Sequence, residues 1–150
     1  MYVQPEHTKC NVSKRSGNTS DIELERTWSS PIVLINPNTG QQFKEVKFES
    51  NVAAFCITLA TFGTSSAYIH VGIAIDYKLR TRATSANEIH TYQLTDRGTD
   101  LQLIHKTSCE STPRAMCPFQ ERLVVGLGRI LRIYDLGKKK LSIPRFPFRS

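Results

Sequence analysis

The sequence predicts an all-β fold of short antiparallel strands joined by tight turns. Three observations carry that prediction. Ten short runs rich in β-branched and aromatic residues follow one another between residues 32 and 143, separated by turn residues. No segment repeats apolar residues at i, i+3, i+4 and i+7 over a helical length. A strand-turn-strand unit also recurs along the chain.

Residues 1–28 are polar, rich in Ser, Thr, Asn and Lys, and show no period, so they are expected to form a loop or tail. Strand grammar begins after Pro31. The predicted runs are 32–35, 43–48, 53–62, 68–75, 88–94, 101–106, 114–119, 123–127, 130–136 and 140–143. Turn residues punctuate them: Asn36-Pro-Asn-Thr-Gly40, Thr95-Asp-Arg-Gly98, Pro113 and Gly137-Lys-Lys139. The longest interruption, residues 76–87, carries Lys78, Arg80 and Arg82 among small polar residues and is expected as an exposed loop.

The recurring unit starts at Ile32, at Ile89 and at Leu131, and the last two copies are offset by 42 residues. That spacing fits a four-stranded propeller blade of roughly 40–45 residues. Strands buried between neighbouring blades read as near-continuous apolar runs, as in Leu123-Val-Val-Gly-Leu127, while outer strands alternate with charge, as in Phe43-Lys-Glu-Val-Lys-Phe48. Arg132-Ile-Tyr-Asp135 resembles the third-strand ending of WD repeats, with Tyr134 in place of Trp. The predicted architecture is therefore a set of WD40-like β-propeller blades, about three in number with the first incomplete, over residues 29–143. Residues 144–150 form a divergent tail whose prolines interrupt strand pairing. A propeller closes with about four to eight blades, so the chain is expected to be part of a longer propeller protein.

Composition narrows the function classes. No apolar run approaches the roughly 20 residues of a membrane helix, and the N-terminus lacks the pattern of a signal peptide. No membrane association is expected, and the compartment expected is cytosol or nucleus. Cys10, Cys56, Cys109 and Cys117 are scattered and read as buried free thiols. The formal charge is +7, and all of the excess lies in residues 111–150, where nine basic groups face two acidic ones. Such a stretch attracts RNA or an acidic protein surface.

No catalytic set is visible. His7, His70, His90 and His105 occur singly, three of them in predicted strands. His105, Cys109 and Cys117 match no familiar zinc spacing. Gly126-Leu-Gly128 lacks the third glycine and following helix of a dinucleotide site, and reads as turn glycines. No cofactor, metal or small-molecule substrate is expected. Trp28 is expected to pack against a blade edge. Lys138, Lys139 and Lys140 form the candidate contact site: three cations on a hairpin turn, suited to an RNA backbone or an acidic partner, and also able to discourage edge pairing.

Residues 105–141 carry a more specific signal. His105-Lys-Thr107, Pro118-Phe-Gln120, the strand end Val125-Gly-Leu-Gly128 and Leu131-Arg-Ile-Tyr-Asp-Leu-Gly-Lys-Lys-Lys-Leu141 closely resemble the family of the third subunit of splicing factor 3b. That family lies within the superfamily of the large DNA-damage-binding and cleavage-and-polyadenylation subunits. Ile35-Asn-Pro37 and Asn51-Val-Ala-Ala-Phe55 extend the resemblance, to about residues 28–141 in all. The chain departs from the family pattern at Glu121, where glycine is usual, in the 76–87 loop, and after Leu141. The resemblance implies a non-enzymatic nuclear scaffold of the splicing factor 3b complex that helps recognise the branch site in pre-mRNA. Its partners would be the other subunits, especially the largest, with at most indirect or weak RNA contact. Two alternatives stay open: a propeller adaptor of DNA-damage-binding or ubiquitin-ligase type, and a basic RNA-binding module whose salt-dependent affinity rests on Lys138, Lys139 and Lys140.

Overall fold

The computed structural model describes residues 28–62, 66–136 and 141–142. The predicted tail before Trp28 and the divergent tail 144–150 lie outside them. Ile32–Ile35 (β1) and Gln42–Val46 (β2) pair antiparallel. Their connection is set locally: Asn36 Oδ1 accepts the Asn38 N–H at 2.9 Å, and Thr39 Oγ1 accepts the Gln41 N–H at 3.3 Å. Ala53–Phe62 (β3), Ser66–Ile75 (β4), Ala86–Thr95 (β5) and Asp100–Cys109 (β6) form a four-stranded meander in chain order. Pro113–Phe119 (β7), Arg122–Leu127 (β8), Ile130–Leu136 (β9) and Leu141–Ser142 (β10) form a second. Among the described residues the only helical element is a single 3-10 turn, Asp96–Gly98.

Each predicted run coincides with one of these strands to within a few residues. The largest differences are β6, which continues to Cys109, and β5, which begins at Ala86 and shortens the expected loop. The hairpin copies seen in the sequence are β1–β2, β5–β6 and β9–β10. The second and third are the last two strands of their sheets, so β1–β2 is the matching half of an incomplete blade.

The three sheets stack. The half-blade covers one face of the central sheet, where Ile32, Val52, Ile69, Val71, Ile73, Tyr92 and Leu101 form a buried cluster, with Leu34, Val46 and Phe48 against it. The last sheet covers the opposite face through Leu123, Val125, Leu127, Tyr134 and Leu141, packed with Ala60 and Ile89. Burial of each such large aliphatic side chain contributes about 2 kcal/mol. This is an all-β stack of partial propeller blades.

The strand sandwiched on both faces is β4, in which residues 69–74 are all buried. For β8 the expectation of two buried faces is corrected. Leu123, Val125 and Leu127 are buried, but Val124 and Gly126 are only half-buried, because among the described residues no sheet covers that side. Its neighbours on that side, Phe119 and Leu131, are 55% and 70% exposed. The glycine reading is corrected in part as well: Gly128 makes the β8–β9 turn with φ +62, while Gly126 lies inside β8.

The β7–β8 turn gives a physical reason for the glycine that the resemblance implies at position 121. Gln120 and Glu121 both adopt left-handed backbone, with φ of 46 and 58. A two-residue hairpin turn of this hand favours glycine at its second position, and a side chain there costs about 1 kcal/mol. Glu121→Gly is expected to stabilise the chain by about 1 kcal/mol, less the entropy glycine loses on folding. A denaturant midpoint that falls instead would contradict this reading of the turn.

Candidate interaction surfaces

The sheet register creates two kinds of surface around the central meander. On the face toward the half-blade, Glu88, His90 and Tyr92 line up along β5. His90 Nε2 donates to Glu88 Oε2 at 2.7 Å, and the Tyr92 hydroxyl lies 3.4 Å from Nδ1. Burial lowers the His90 pKa, outweighing the hydrogen bond to Glu88, which raises it. Phe48 meets the imidazole edge-on at 5.9 Å. The half-blade leaves a cleft of about 420 Å³ here, floored by Ile73, Tyr92 and Leu101 and rimmed by Lys44, Lys47 and Lys106. Lys44 is paired with Asp100 at 2.8 Å, so the rim is not purely cationic.

On the opposite face the register sets Thr58, His70, Thr91 and His105 in one row across all four strands. His70 is fully buried and shares a hydrogen bond of 3.1 Å between Nδ1 and Thr91 Oγ1. Phe62 packs edge-on against its ring at 5.6 Å. Nε2 of His70 and Nε2 of His105 are buried with no hydrogen-bond partner among the described residues.

A third surface gathers where the chain crosses between sheets. Tyr77 is buried, with Trp28 edge-on at 6.2 Å and Phe55 at 5.0 Å. Arg114 lies over the Phe55 ring at 5.2 Å. Trp28 thus packs at a sheet edge, as expected. Sequence reasoning missed the cluster as a unit, because its members come from segments with no local signal linking them. Beside it opens a cleft of about 700 Å³ lined by Trp28, Tyr77 and Leu79.

The lysines singled out in the sequence, Lys138, Lys139 and Lys140, connect β9 to β10 and lie outside the described residues, as do His7 and Cys10. The basic C-terminal stretch is partly engaged elsewhere. Arg132 forms a two-pronged ion pair with Glu110, its Nε donating to Oε1 at 2.8 Å, and Arg114 sits on Phe55. The cysteine reading needs one correction: Cys56 and Cys109 are half-buried, but Cys117 is exposed, because it sits on the face of the last sheet that no sheet covers among the described residues. Burial pushes the Cys56 thiol up to about 11. Among the described residues no three His, Cys, Asp or Glu side chains converge as a metal would require.

Known proteins give this arrangement a family. The family described as the CPSF A subunit region matches residues 29–146. The splicing factor 3B subunit 3 of Danio rerio is 44% identical over 116 residues, covering 76% of this chain and 10% of that protein. The pre-mRNA-splicing factor RSE1 of Mycosarcoma maydis is 38% identical over 116 residues, with the same coverage of both chains. A probable splicing factor 3B subunit 3 of Dictyostelium discoideum is 35% identical over 115 residues, covering 76% of this chain and 9% of its own. The chain therefore spans about a tenth of the length of the curated relatives it matches. The match runs through the half-blade and both four-stranded sheets, and the chain belongs to the family of the CPSF A subunit region, where it is similar to the splicing factor 3B subunit 3 and RSE1 proteins.

Proposed function

We propose that the chain is a non-enzymatic protein-interaction scaffold of the splicing factor 3b complex, acting in the nucleus in pre-mRNA splicing at branch-site recognition. The observation that carries the proposal is the likeness to splicing factor 3B subunit 3 across the stacked sheets. The surfaces fit a scaffold. They are open clefts, one between the half-blade and the central sheet and one beside the turn after β4, and the buried His70 and His90 serve packing. The partners proposed are the other subunits of that complex, the largest above all, and any RNA contact is weak or indirect. No cofactor takes part.

The test is affinity purification of the tagged full chain from nuclear extract, followed by mass spectrometry. Recovery of the other splicing factor 3b subunits is the expected result. Their absence, alongside their recovery by a full-length splicing factor 3B subunit 3 protein, would overturn the proposal.

A further inference from the structure

The segment between β4 and β5, residues 76–85, is not a slack loop. Lys78 N–H donates to the Ala83 carbonyl at 2.9 Å and Arg82 N–H to the Lys78 carbonyl at 2.7 Å, closing a small hairpin. Its base is fixed twice. Tyr77 N–H donates to the Asn51 carbonyl at 3.0 Å, and Ser85 Oγ donates to Asp76 Oδ2 at 2.7 Å. The Tyr77 ring is wedged between Trp28 and Phe55. Asp76 and Arg82 both hold left-handed backbone, with φ of 51 and 55, which the surrounding hydrogen bonds must impose.

What this hairpin presents is Lys78, Leu79, Arg80, Thr81 and Arg82, all exposed. Among the described residues no ion pair engages Lys78, Arg80 or Arg82. The only acid in the hairpin, Asp76, sits at its base with Ser85. Leu79 is 70% exposed in the middle of the three cations, beside the cleft that Trp28, Tyr77, Ala83 and Thr84 also line. A held shape therefore displays unpaired positive charge around an apolar side chain, next to a cleft that Trp28 and Tyr77 line together with Asn51, Asp76 and Ser85.

We propose that this hairpin is a docking point for an acidic protein segment that carries an apolar side chain. Carboxylates of the segment would face Lys78, Arg80 and Arg82, and its apolar side chain would enter the cleft against Leu79 and Trp28. Charge complementarity selects an acidic occupant. The apolar component selects protein over nucleic acid. Single-stranded RNA is held by open aromatic faces on which bases stack, whereas Tyr77 is buried and Trp28 meets it edge-on. The inference goes beyond the scaffold proposal and holds whichever complex the chain joins.

The experiment is selection of a random peptide display library on the full chain alone, followed by affinity measurement of the enriched peptides on the parent and on the Lys78→Ala/Arg80→Ala/Arg82→Ala variant. All three substitutions are at exposed positions, and an unchanged circular dichroism melt checks that the variant folds as the parent does. The expected result is enrichment of peptides combining Asp or Glu with an aromatic or aliphatic residue. Their affinity should fall about tenfold in the triple variant, the combined weight of three exposed charge pairs, and should also fall in Leu79→Ser. Failure to enrich acidic peptides, or equal affinity for both proteins, would overturn the inference. So would an oligouridine that binds the parent more tightly than the selected peptides and loses binding in the triple variant, since the occupant would then be RNA. Because the readout uses no splicing subunit, failure here and failure of the scaffold proposal are separable.

Discussion

Gly72→Ala is expected to destabilise the chain by about 3 kcal/mol, a fall in melting midpoint of about 10 °C for a chain of this size. Gly72 lies in the doubly buried strand β4, on the face toward the last sheet. A Cβ built there would stand 2.6 Å from Cys56 Sγ, 2.7 Å from the Pro113 carbonyl oxygen and 2.8 Å from Pro113 Cβ. None of the three has room to retreat. Cys56 Sγ already donates to the Pro113 carbonyl at 3.1 Å, and Pro113 is itself fully buried at the start of β7. The methyl group must therefore separate the central sheet from the last one. Gly126→Ala is the contrasting control, because the nearest atom to its Cβ is the Ala115 carbonyl oxygen at 3.8 Å, an ordinary contact. A Gly72→Ala midpoint within a few degrees of the parent would show that the two sheets do not meet as described. Adding Cys56→Ala should relieve only the sulfur contact and restore less than half of the loss, since the Pro113 backbone remains.

Acidification is expected to produce a loss of similar size. Burial lowers the His70 pKa from 6.5 to about 4. The unfolded chain titrates near the ordinary value, so between those limits it binds a proton that the folded chain refuses. Stability is therefore full above about pH 6.5 and is lost as pH falls toward about 4, by about 3 kcal/mol from this residue. His90 acts in the same direction, since burial lowers its pKa too. The two rings lie on opposite faces of the central sheet, so protonation loosens both interfaces. Urea unfolding at a series of pH values measures the slope. His70→Gln should flatten it by about the His70 share, leaving the His90 part. A slope unchanged in that variant would mean that His70 is not the group responsible.

These expectations differ in how far the sequence alone could reach them. The strands were legible because alternation and turn residues act over a few positions: Asn36 and Thr39 close their own turn, and the β-branched runs of β3 and β4 need no distant partner to be recognised. The blade order followed from the recurring hairpin, and the family from the residues between His105 and Leu141. At Glu121 the resemblance implied glycine, but the physical reason waited for the backbone angles of the β7–β8 turn.

Which apolar face is covered is a different kind of fact. The runs in β4 and β8 look alike as sequences, yet among the described residues β4 is buried on both sides and β8 on one, because coverage depends on a neighbouring sheet tens of residues away. The same holds for the row of Thr58, His70, Thr91 and His105, which exists only through three strand registers. It holds for the gathering of Trp28, Phe55, Tyr77 and Arg114, and for the contact that forbids a side chain at Gly72. The sequence by itself determined the elements, their order and the family, since each rests on short-range patterns. Only the tertiary structure decided the buried histidine, the tight glycine and the basic hairpin on its aromatic base, since each is made by residues that folding alone brings together.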